Sequence, residues 1–184
     1  MQHRPSSPEG LTVADRVARS LRVVPDFPEP GILFQDITPV LADSALFADV
    51  IDALVAPWRD ADVTHVAGVE SRGFILAAPV ALALGAGLIP VRKPGKLPWR
   101  TISREYALEY GTGRLEVHAD ACVEGERVLV IDDVLATGGT AAATCALLEG
   151  LGARIVGCGF LVEIQALHGA TVLDDRQFQA LVTR

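Results

Sequence analysis

The sequence predicts an α/β fold built on a doubly wound, mostly parallel sheet flanked by helices. Apolar runs that read as strands alternate with stretches that have helical spacing along most of the chain. The run at residues 128–131, Val-Leu-Val-Ile, is continuous and rich in β-branched residues, as in a parallel strand buried on both faces. The length of 184 residues also suits a single α/β domain.

The predicted elements follow one another in a regular order. Apolar residues at helical spacing indicate a helix over residues 12–23, with Thr12 as a candidate cap. Residues 25–41 hold four prolines and one glycine, which predicts a long ordered loop without regular structure. The remaining predicted helices cover residues 44–58, 73–84 and 140–151, and the predicted strands cover residues 63–69, 87–92, 115–121, 127–132 and 154–163. Strands that alternate with helices imply right-handed crossovers and parallel pairing.

Composition and the chain ends limit the possible functions. The formal net charge of −7 argues against a nucleic-acid binder, which needs a basic face. No apolar run approaches the roughly 18 residues of a membrane span, so we expect no membrane partner. Residues 1–10 lack the apolar core of a signal peptide and are expected to form a disordered tail before one domain at residues 11–184. Three widely spaced cysteines in apolar surroundings predict free thiols in a reducing cytoplasm.

The segment at residues 128–140 carries the strongest functional signal, because it joins an apolar strand to two acids and a glycine-rich turn. Asp132 and Asp133 follow the strand, where open α/β sheets bind their ligands. The turn consists of Ala136, Thr137, Gly138, Gly139 and Thr140. Its glycines let backbone N–H groups approach an anion, and its threonine hydroxyls add donors. The alanine-rich stretch that follows favours a helix, whose N-terminus attracts the same anion.

The two adjacent carboxylates need a partner other than the anion, because they would repel it. A vicinal diol such as a ribose offers two O–H donors, and hydrogen bonds to a carboxylate are strengthened by its charge. The alternative is that Asp132 and Asp133 only end a strand and that the turn is an ordinary helix start. The strand before and the helix after favour a site for a phosphorylated sugar.

Residues 128–140 resemble the 5-phosphoribosyl-1-pyrophosphate (PRPP) motif of the type I phosphoribosyltransferases. Four other segments resemble the adenine phosphoribosyltransferase family in particular, at residues 25–41, 70–74, 92–98 and 106–111. The resemblance runs from about residue 25 to about residue 162. It implies the type I phosphoribosyltransferase fold with a flexible catalytic loop, a homodimer, and Mg²⁺ that is carried mainly by PRPP without a dedicated protein ligand.

The reaction that the resemblance implies is displacement of pyrophosphate from PRPP by adenine, which gives AMP in purine salvage through an oxocarbenium-like transition state. The turn at residues 136–140 would then hold the sugar phosphate, and Asp132 and Asp133 the ribose hydroxyls. The pyrophosphate would be met by Arg72, Lys93 and Lys96 together with Mg²⁺. The alternative for Lys93 and Lys96 is that they belong to an ordinary basic loop exposed to solvent and do not bind pyrophosphate.

The resemblance also indicates which residues bind the purine base and which residue transfers its proton. Phe34 would stack on adenine while backbone groups of Leu33 and Gln35 pair with its polar edge, although Phe34 could instead be a core residue. Relatives often carry a basic residue where this chain has Gln35. Glu109, beside Tyr110, would act as general acid/base toward the purine from the loop at residues 94–113. An ordinary surface hairpin is the alternative for that loop.

Two other functions stay open at this point. One is a phosphoribosyltransferase for another base, such as hypoxanthine, xanthine or orotate. The other is a PRPP-sensing regulator that has lost catalysis. The acidic charge and the roughly 25 residues before the first family motif leave little room for a nucleic-acid-binding domain.

Overall fold

A computed structural model describes residues 10–107 and 112–184 of the chain. It divides into two compact units, Met1–Ala53 and Leu54–Arg184. Among the described residues, no helix has the length and apolar character needed to cross a membrane. The expectation of a single domain over residues 11–184 stays a prediction.

The first unit begins with helix α1, Val13–Ser20, which Thr12 caps as predicted. The Thr12 hydroxyl accepts a hydrogen bond from the Asp15 backbone N–H at 3.1 Å, and the Asp15 carboxylate accepts one from the Thr12 backbone N–H at 3.0 Å. This reciprocal capping box satisfies two of the free donors of the first turn. The helix ends before residue 23 because Leu21 is extended and strand β1, Arg22–Pro25, follows.

The predicted irregular loop at residues 25–41 is wrong in part. Strand β2, Leu33–Asp36, pairs antiparallel with β1, and helix α2, Thr38–Ala42, follows it. The proline of α2 lies in its first turn, where its missing N–H has no helical partner to lose. Helix α3, Ser44–Val55, then leads to the boundary of the unit.

The second unit contains the predicted parallel sheet. Its strands are β3 His65–Val69, β4 Gly87–Val91, β5 Thr101–Ala107, β6 Thr112–His118, β7 Arg127–Leu135, β8 Arg154–Glu163 and β9 Phe178–Thr183. Its helices are α4 Arg72–Leu84 and α5 Gly139–Glu149, with 3₁₀ turns at Ala56–Trp58, Gln165–Leu167 and Gly169–Leu173. Five strands form one all-parallel sheet in the order β4-β3-β7-β8-β9. This confirms the predicted fold class.

Strand β7 is the central strand, as predicted, and residues 128–131 are fully buried. It does not end at residue 132, however. Pairing with β8 continues through Val134 and Leu135, and Leu135 is buried in the core. Asp132 and Asp133 therefore belong to the strand itself.

Strands β5 and β6 form a separate antiparallel hairpin. The strand predicted at residues 115–121 is confirmed in part, because β6 covers Thr112–His118. It pairs along its length with β5, and an isolated antiparallel bridge joins Glu116 to Arg92, directly after β4. Leu115 and Val117 alternate with more exposed neighbours and are buried in the core cluster. Tyr106 lies opposite Gly113, and a Cβ added to Gly113 would stand 2.5 Å from the tyrosine ring. Gly113 thus leaves the space that the ring fills.

Candidate active site at the carboxyl end of the sheet

Residues 136–140, which join β7 to α5 and include the first two residues of the helix, are called the phosphate loop below. Gly138 has a φ of +79° in the left-handed region, which an L-residue rarely adopts. Within the described chain no side chain caps α5 at Gly138, and the first turn carries no acidic residue. The first helical hydrogen bond runs from the Ala142 N–H to the Gly138 carbonyl at 2.9 Å. The backbone N–H groups before Ala142 therefore form the kind of helix start that binds a phosphate.

Asp133 is the more deeply buried of the two acids, with 4% of its surface exposed. The Nε of Arg72, the first residue of α4, donates a hydrogen bond to its carboxylate. The structure thus brings together two residues that the sequence analysis assigned to different parts of PRPP. Arg72 meets Asp133, and its assignment to pyrophosphate stays a prediction.

Asp132 is in a different electrostatic environment from its neighbour. Its Oδ1 accepts a hydrogen bond from the Asp133 backbone N–H at 2.9 Å. Removal from water, and next the negative charge of Asp133, raise the pKa of Asp132 well above its usual range. A ligand that donates hydrogen bonds to this carboxylate would compensate for the lost water. The hydroxyls of a sugar are such donors.

Gly73, in the first turn of α4, was missed as a site residue by the sequence analysis. A Cβ added there would lie 2.8 Å from Asp132 Oδ1 and 3.0 Å from the Ile131 carbonyl. The missing side chain therefore lets the start of α4 lie directly against Asp132. The only signal in the sequence was its place in the segment at residues 70–74, since close backbone approach leaves no periodic pattern.

The basic turn after β4 is held by its first residue. The Arg92 Nε donates to Glu70 at 3.1 Å, and a terminal nitrogen of Arg92 donates to the Lys96 carbonyl at 3.0 Å. Lys93 and Lys96 are exposed, and no ion pair joins either lysine to another described residue. The turn is therefore built by Arg92, and it leaves the two lysine side chains in solvent.

The segment predicted to meet adenine forms strand β2 of the first unit. Leu33 is 61% exposed, and the ring of Phe34 contacts that of Phe27 edge-on, with centroids 5.0 Å apart. The Gln35 Oε1 is buried and accepts no hydrogen bond from any described residue. Because β1 and β2 form a two-stranded sheet, β2 is an edge strand of that sheet, and the backbone of an edge strand can pair with a ligand.

A cavity of about 590 Å³ opens beside the phosphate loop. The residues that line it come from β5, the loop, α5 and the segment before β9: Arg104, Glu105, Tyr106, Thr137, Gly139, Ala142, Ala143, Ala146, Val172, Asp174 and Arg176. Glu109 and Tyr110 lie outside the described residues, between the end of β5 and the start of β6 in the chain. Their assignments stay predictions.

The second unit offers Mg²⁺ only a limited set of donors. Across residues 10–107 and 112–184, no cluster of three or more His, Cys, Asp or Glu side chains could hold a metal ion. Protein-bound Mg²⁺ commonly keeps several waters and takes one or two carboxylates together with substrate phosphates. Asp132 and Asp133 are compatible with that limited role, so the ion fits as part of a magnesium–phosphate substrate.

Comparisons with known proteins identify the family of the chain. Residues 36–177 match the model of the phosphoribosyl transferase domain family. The chain is 56% identical to the adenine phosphoribosyltransferase of Myxococcus xanthus over 97% of both chains. The crystal structure of the Rhodothermus marinus adenine phosphoribosyltransferase superposes with a TM-score of 0.91 at 47% identity, covering 94% of this chain and 98% of that one.

A third relative has been crystallised with two ligands. The Saccharomyces cerevisiae adenine phosphoribosyltransferase, in complex with adenine and an imino-altritol bisphosphate, superposes with a TM-score of 0.86 at 37% identity. The match covers 92% of this chain and 98% of the yeast chain. The chain therefore belongs to the adenine phosphoribosyltransferase family.

Proposed function

We propose that this protein transfers the 5-phosphoribosyl group from PRPP to adenine and releases AMP and pyrophosphate. A ring nitrogen of adenine forms the new bond to the anomeric carbon, the bond to pyrophosphate breaks, and adenine loses one proton. The observation that carries the proposal is the continuous unit of β7, phosphate loop and α5, with Asp132 and Asp133 just before the loop. The 56% identity to the Myxococcus xanthus enzyme supports adenine as the base.

The phosphate loop and the two acids hold the sugar at both ends. Backbone N–H groups of residues 138–141 and the hydroxyls of Thr137 and Thr140 bind the 5-phosphate, while Asp132 and Asp133 accept hydrogen bonds from the ribose hydroxyls. A sugar fixed at two points presents its anomeric carbon in one orientation. Such positioning can lower the barrier by several kcal/mol, about 7–11 in well-oriented model reactions.

The negative charge of the leaving pyrophosphate is neutralised by cationic side chains from two parts of the second unit. Arg72 stands beside Asp133, and the exposed Lys93 and Lys96 can reach outward from the turn that Arg92 holds. Mg²⁺ bound to PRPP would neutralise further charge on the leaving group. Because developing charge is stabilised by groups already in place, each such contact favours bond breaking.

Adenine is recognised through β2, and its proton is handled from the loop between β5 and β6. Backbone groups of Leu33 and Gln35 pair with the exocyclic amine and the ring nitrogens, and Phe34 lies against the ring. Glu109, beside Tyr110, accepts or orients the proton that leaves the purine. A site whose polar groups pair with the amine rejects hypoxanthine, because those groups would be left unsatisfied.

The protein acts in purine salvage as a homodimer in the cytoplasm, with residues 11–184 as one functional domain. Ile75, Leu82 and Leu88 are large apolar residues that expose 44%, 83% and 44% of their surface, which supports association with a second copy. Free, buried thiols at Cys122, Cys145 and Cys158 support a reducing compartment. Sedimentation equilibrium and titration of the thiols before and after unfolding would test both statements.

A product assay tests the proposed reaction. The purified protein is given PRPP and Mg²⁺ with adenine, hypoxanthine, guanine or orotate in separate reactions, and nucleotide and pyrophosphate are both measured. We expect AMP and pyrophosphate in equal amounts from adenine alone. Product from a different base would identify another phosphoribosyltransferase, and PRPP binding without any product would identify a PRPP-sensing regulator.

A further inference from the structure

The connection between β8 and β9 packs directly on the phosphate loop. A Cβ added to Gly138 would lie 2.3 Å from the Gly169 carbonyl oxygen, and one added to Gly169 would lie 2.1 Å from the Ala136 carbonyl oxygen and 2.9 Å from the Gly138 nitrogen. Real Cβ atoms essentially never come within 3.0 Å of such atoms. The backbones of the two segments therefore touch at Gly138 and Gly169, where neither residue has a side chain.

The reason for a glycine differs between the two positions. Gly138 needs its left-handed φ of +79° as well as the space. Gly169 lies outside the left-handed region, so its backbone conformation is open to any residue. What excludes a side chain at Gly169 is only the neighbouring backbone of the phosphate loop. A substitution at Gly169 would therefore act on that loop.

The same connection contacts α5 at both ends. At the start of the helix, Val172 Cγ2 would stand 2.4 Å from a Cβ at Gly138. At its end, the Arg176 Nε and a terminal nitrogen of Arg176 donate to the two carboxylate oxygens of Glu149 at 3.0 and 2.9 Å. Between these contacts, Leu173 is fully buried in the core. The connection is thus fixed, and its position determines where the phosphate loop can lie.

We propose that Gly169 is a positioning residue for the phosphate loop, and this inference rests on the proposed function of that loop in binding the sugar phosphate of PRPP. The 3₁₀ turn Gly169–Leu173 packs against residues 136–138 and so sets the position of the backbone N–H groups of residues 138–141, which bind the phosphate. A side chain at Gly169 would displace the Ala136 carbonyl by about 1 Å and carry the adjoining backbone of the loop with it, and a misplacement of about that size can reduce activity about 100-fold.

The test is Gly169→Ala, with Gly150→Ala as its matched control. Gly150 is exposed at the other end of α5, has a φ of −64°, and a Cβ there would meet the Leu147 carbonyl at 3.2 Å, far from the loop. In Gly169→Ala we expect the KM for PRPP to rise about 10- to 100-fold while the KM for adenine changes little. The melting temperature should also fall, because the clash destabilises the fold. The Kd for ribose 5-phosphate, measured by calorimetry, should weaken in parallel.

A second variant decides the matter if Gly169→Ala does not fold. Val172 is 41% exposed, so Val172→Ala removes its contact with Gly138 without opening the core. We expect this variant to raise the KM for PRPP by about three- to tenfold, a smaller effect because a contact is lost and no clash is created. A folded Gly169→Ala with an unchanged KM for PRPP overturns the inference, as does an unchanged KM in Val172→Ala.

The outcome can be separated from that of the proposed function. If the unaltered protein makes no AMP and binds no ribose 5-phosphate, the proposed function fails before any variant is compared. If the unaltered protein is active and Gly169→Ala shifts the KM for adenine as strongly as that for PRPP, the effect is a general disturbance and the positioning role is overturned.

Discussion

Arg72 and Asp133 are 61 residues apart in the chain and form an ion pair through the Arg72 Nε. Only 6% of the Asp133 side chain is exposed, whereas 41% of the Arg72 side chain is. The pair joins the start of α4 to β7 next to the phosphate loop. The two adjacent acids differ in their surroundings, because Arg72 pairs with Asp133, whereas burial and the charge of Asp133 raise the pKa of Asp132.

Loss of Arg72 should destabilise the ligand-free protein. In Arg72→Gln the buried Asp133 loses its cation, and we expect the free energy of unfolding to fall by about 1–3 kcal/mol, a modest value because water reaches the arginine. Urea unfolding measures this, and Arg104→Gln is the control because Arg104 is exposed on β5. Adding Asp133→Asn to Arg72→Gln should restore part of the loss. A double variant that is simply additive would contradict the pairing.

Asp132→Asn should have the opposite effect on stability at neutral pH. Its raised pKa means that the folded state holds the proton at a pH where the unfolded chain has released it. The contribution of Asp132 to the free energy of unfolding therefore falls as pH rises from its ordinary pKa of 3.8 through the raised value. Every tenfold difference in proton affinity between the folded and unfolded states corresponds to about 1.4 kcal/mol.

The measurement is urea unfolding of the ligand-free protein as a function of pH. Asp132→Asn should be more stable than the unaltered protein at neutral pH, and the difference should disappear below pH 3.8. The same variant should bind PRPP more weakly, since an amide is a poorer partner for the ribose hydroxyls. A loss of stability of Asp132→Asn at neutral pH would show that the pKa of Asp132 is not raised in the folded protein.

The parts of this fold that the sequence predicted are those whose signal is local. The run at residues 128–131 is apolar throughout because it is buried on both faces, and the bounds predicted for β8 agree with Arg154–Glu163. The phosphate loop could be predicted because glycines, a preceding strand and a following helix are all adjacent in the chain. The family could also be predicted, because five short segments of the sequence each resemble it.

The parts that could not be predicted depend on pairing between distant or unpatterned segments. Strand β2 lies among prolines and is a strand because β1 pairs with it. Strand β6 reads like any half-buried strand, so its place in a hairpin depends on β5. Gly169 lies 31 residues from Gly138, and a contact between two glycines leaves no side-chain pattern to read. The different surroundings of Asp132 and Asp133 could not be predicted without the position of Arg72.

Gly113→Val should impair catalysis through Tyr106. A valine would occupy the space of the tyrosine ring, which now lies 2.5 Å from the position of a Cβ at Gly113. The ring would have to leave its place on the hairpin whose connection carries Glu109, and we expect turnover to fall about tenfold. Steady-state assays at saturating PRPP and adenine would measure the fall.

The control for this variant lies on the same hairpin. Ser103→Ala removes a hydroxyl that accepts a hydrogen bond from Arg114 at 2.6 Å on an exposed part of β5 and β6. It should leave turnover within about twofold of the unaltered value, since exposed hydrogen bonds contribute little. Equal losses in both variants would show that hairpin stability, and not the place of Tyr106, governs the rate.

Glu109→Gln should lower turnover far more than it weakens PRPP binding. A glutamine keeps the size and hydrogen-bonding capacity of the side chain but cannot take a proton, and the loss of a general acid/base typically costs about 10²–10⁴-fold in rate. Glu124→Gln is the matched control, because Glu124 is an exposed glutamate in the turn before β7. Single-turnover assays with AMP formation as the readout, beside calorimetry with PRPP, separate the two quantities. Equal losses of turnover and PRPP affinity in Glu109→Gln would mean that the carboxylate acts in binding. A loss of turnover of the same size in Glu124→Gln would mean that the net charge of the protein, and not proton transfer by Glu109, sets the rate.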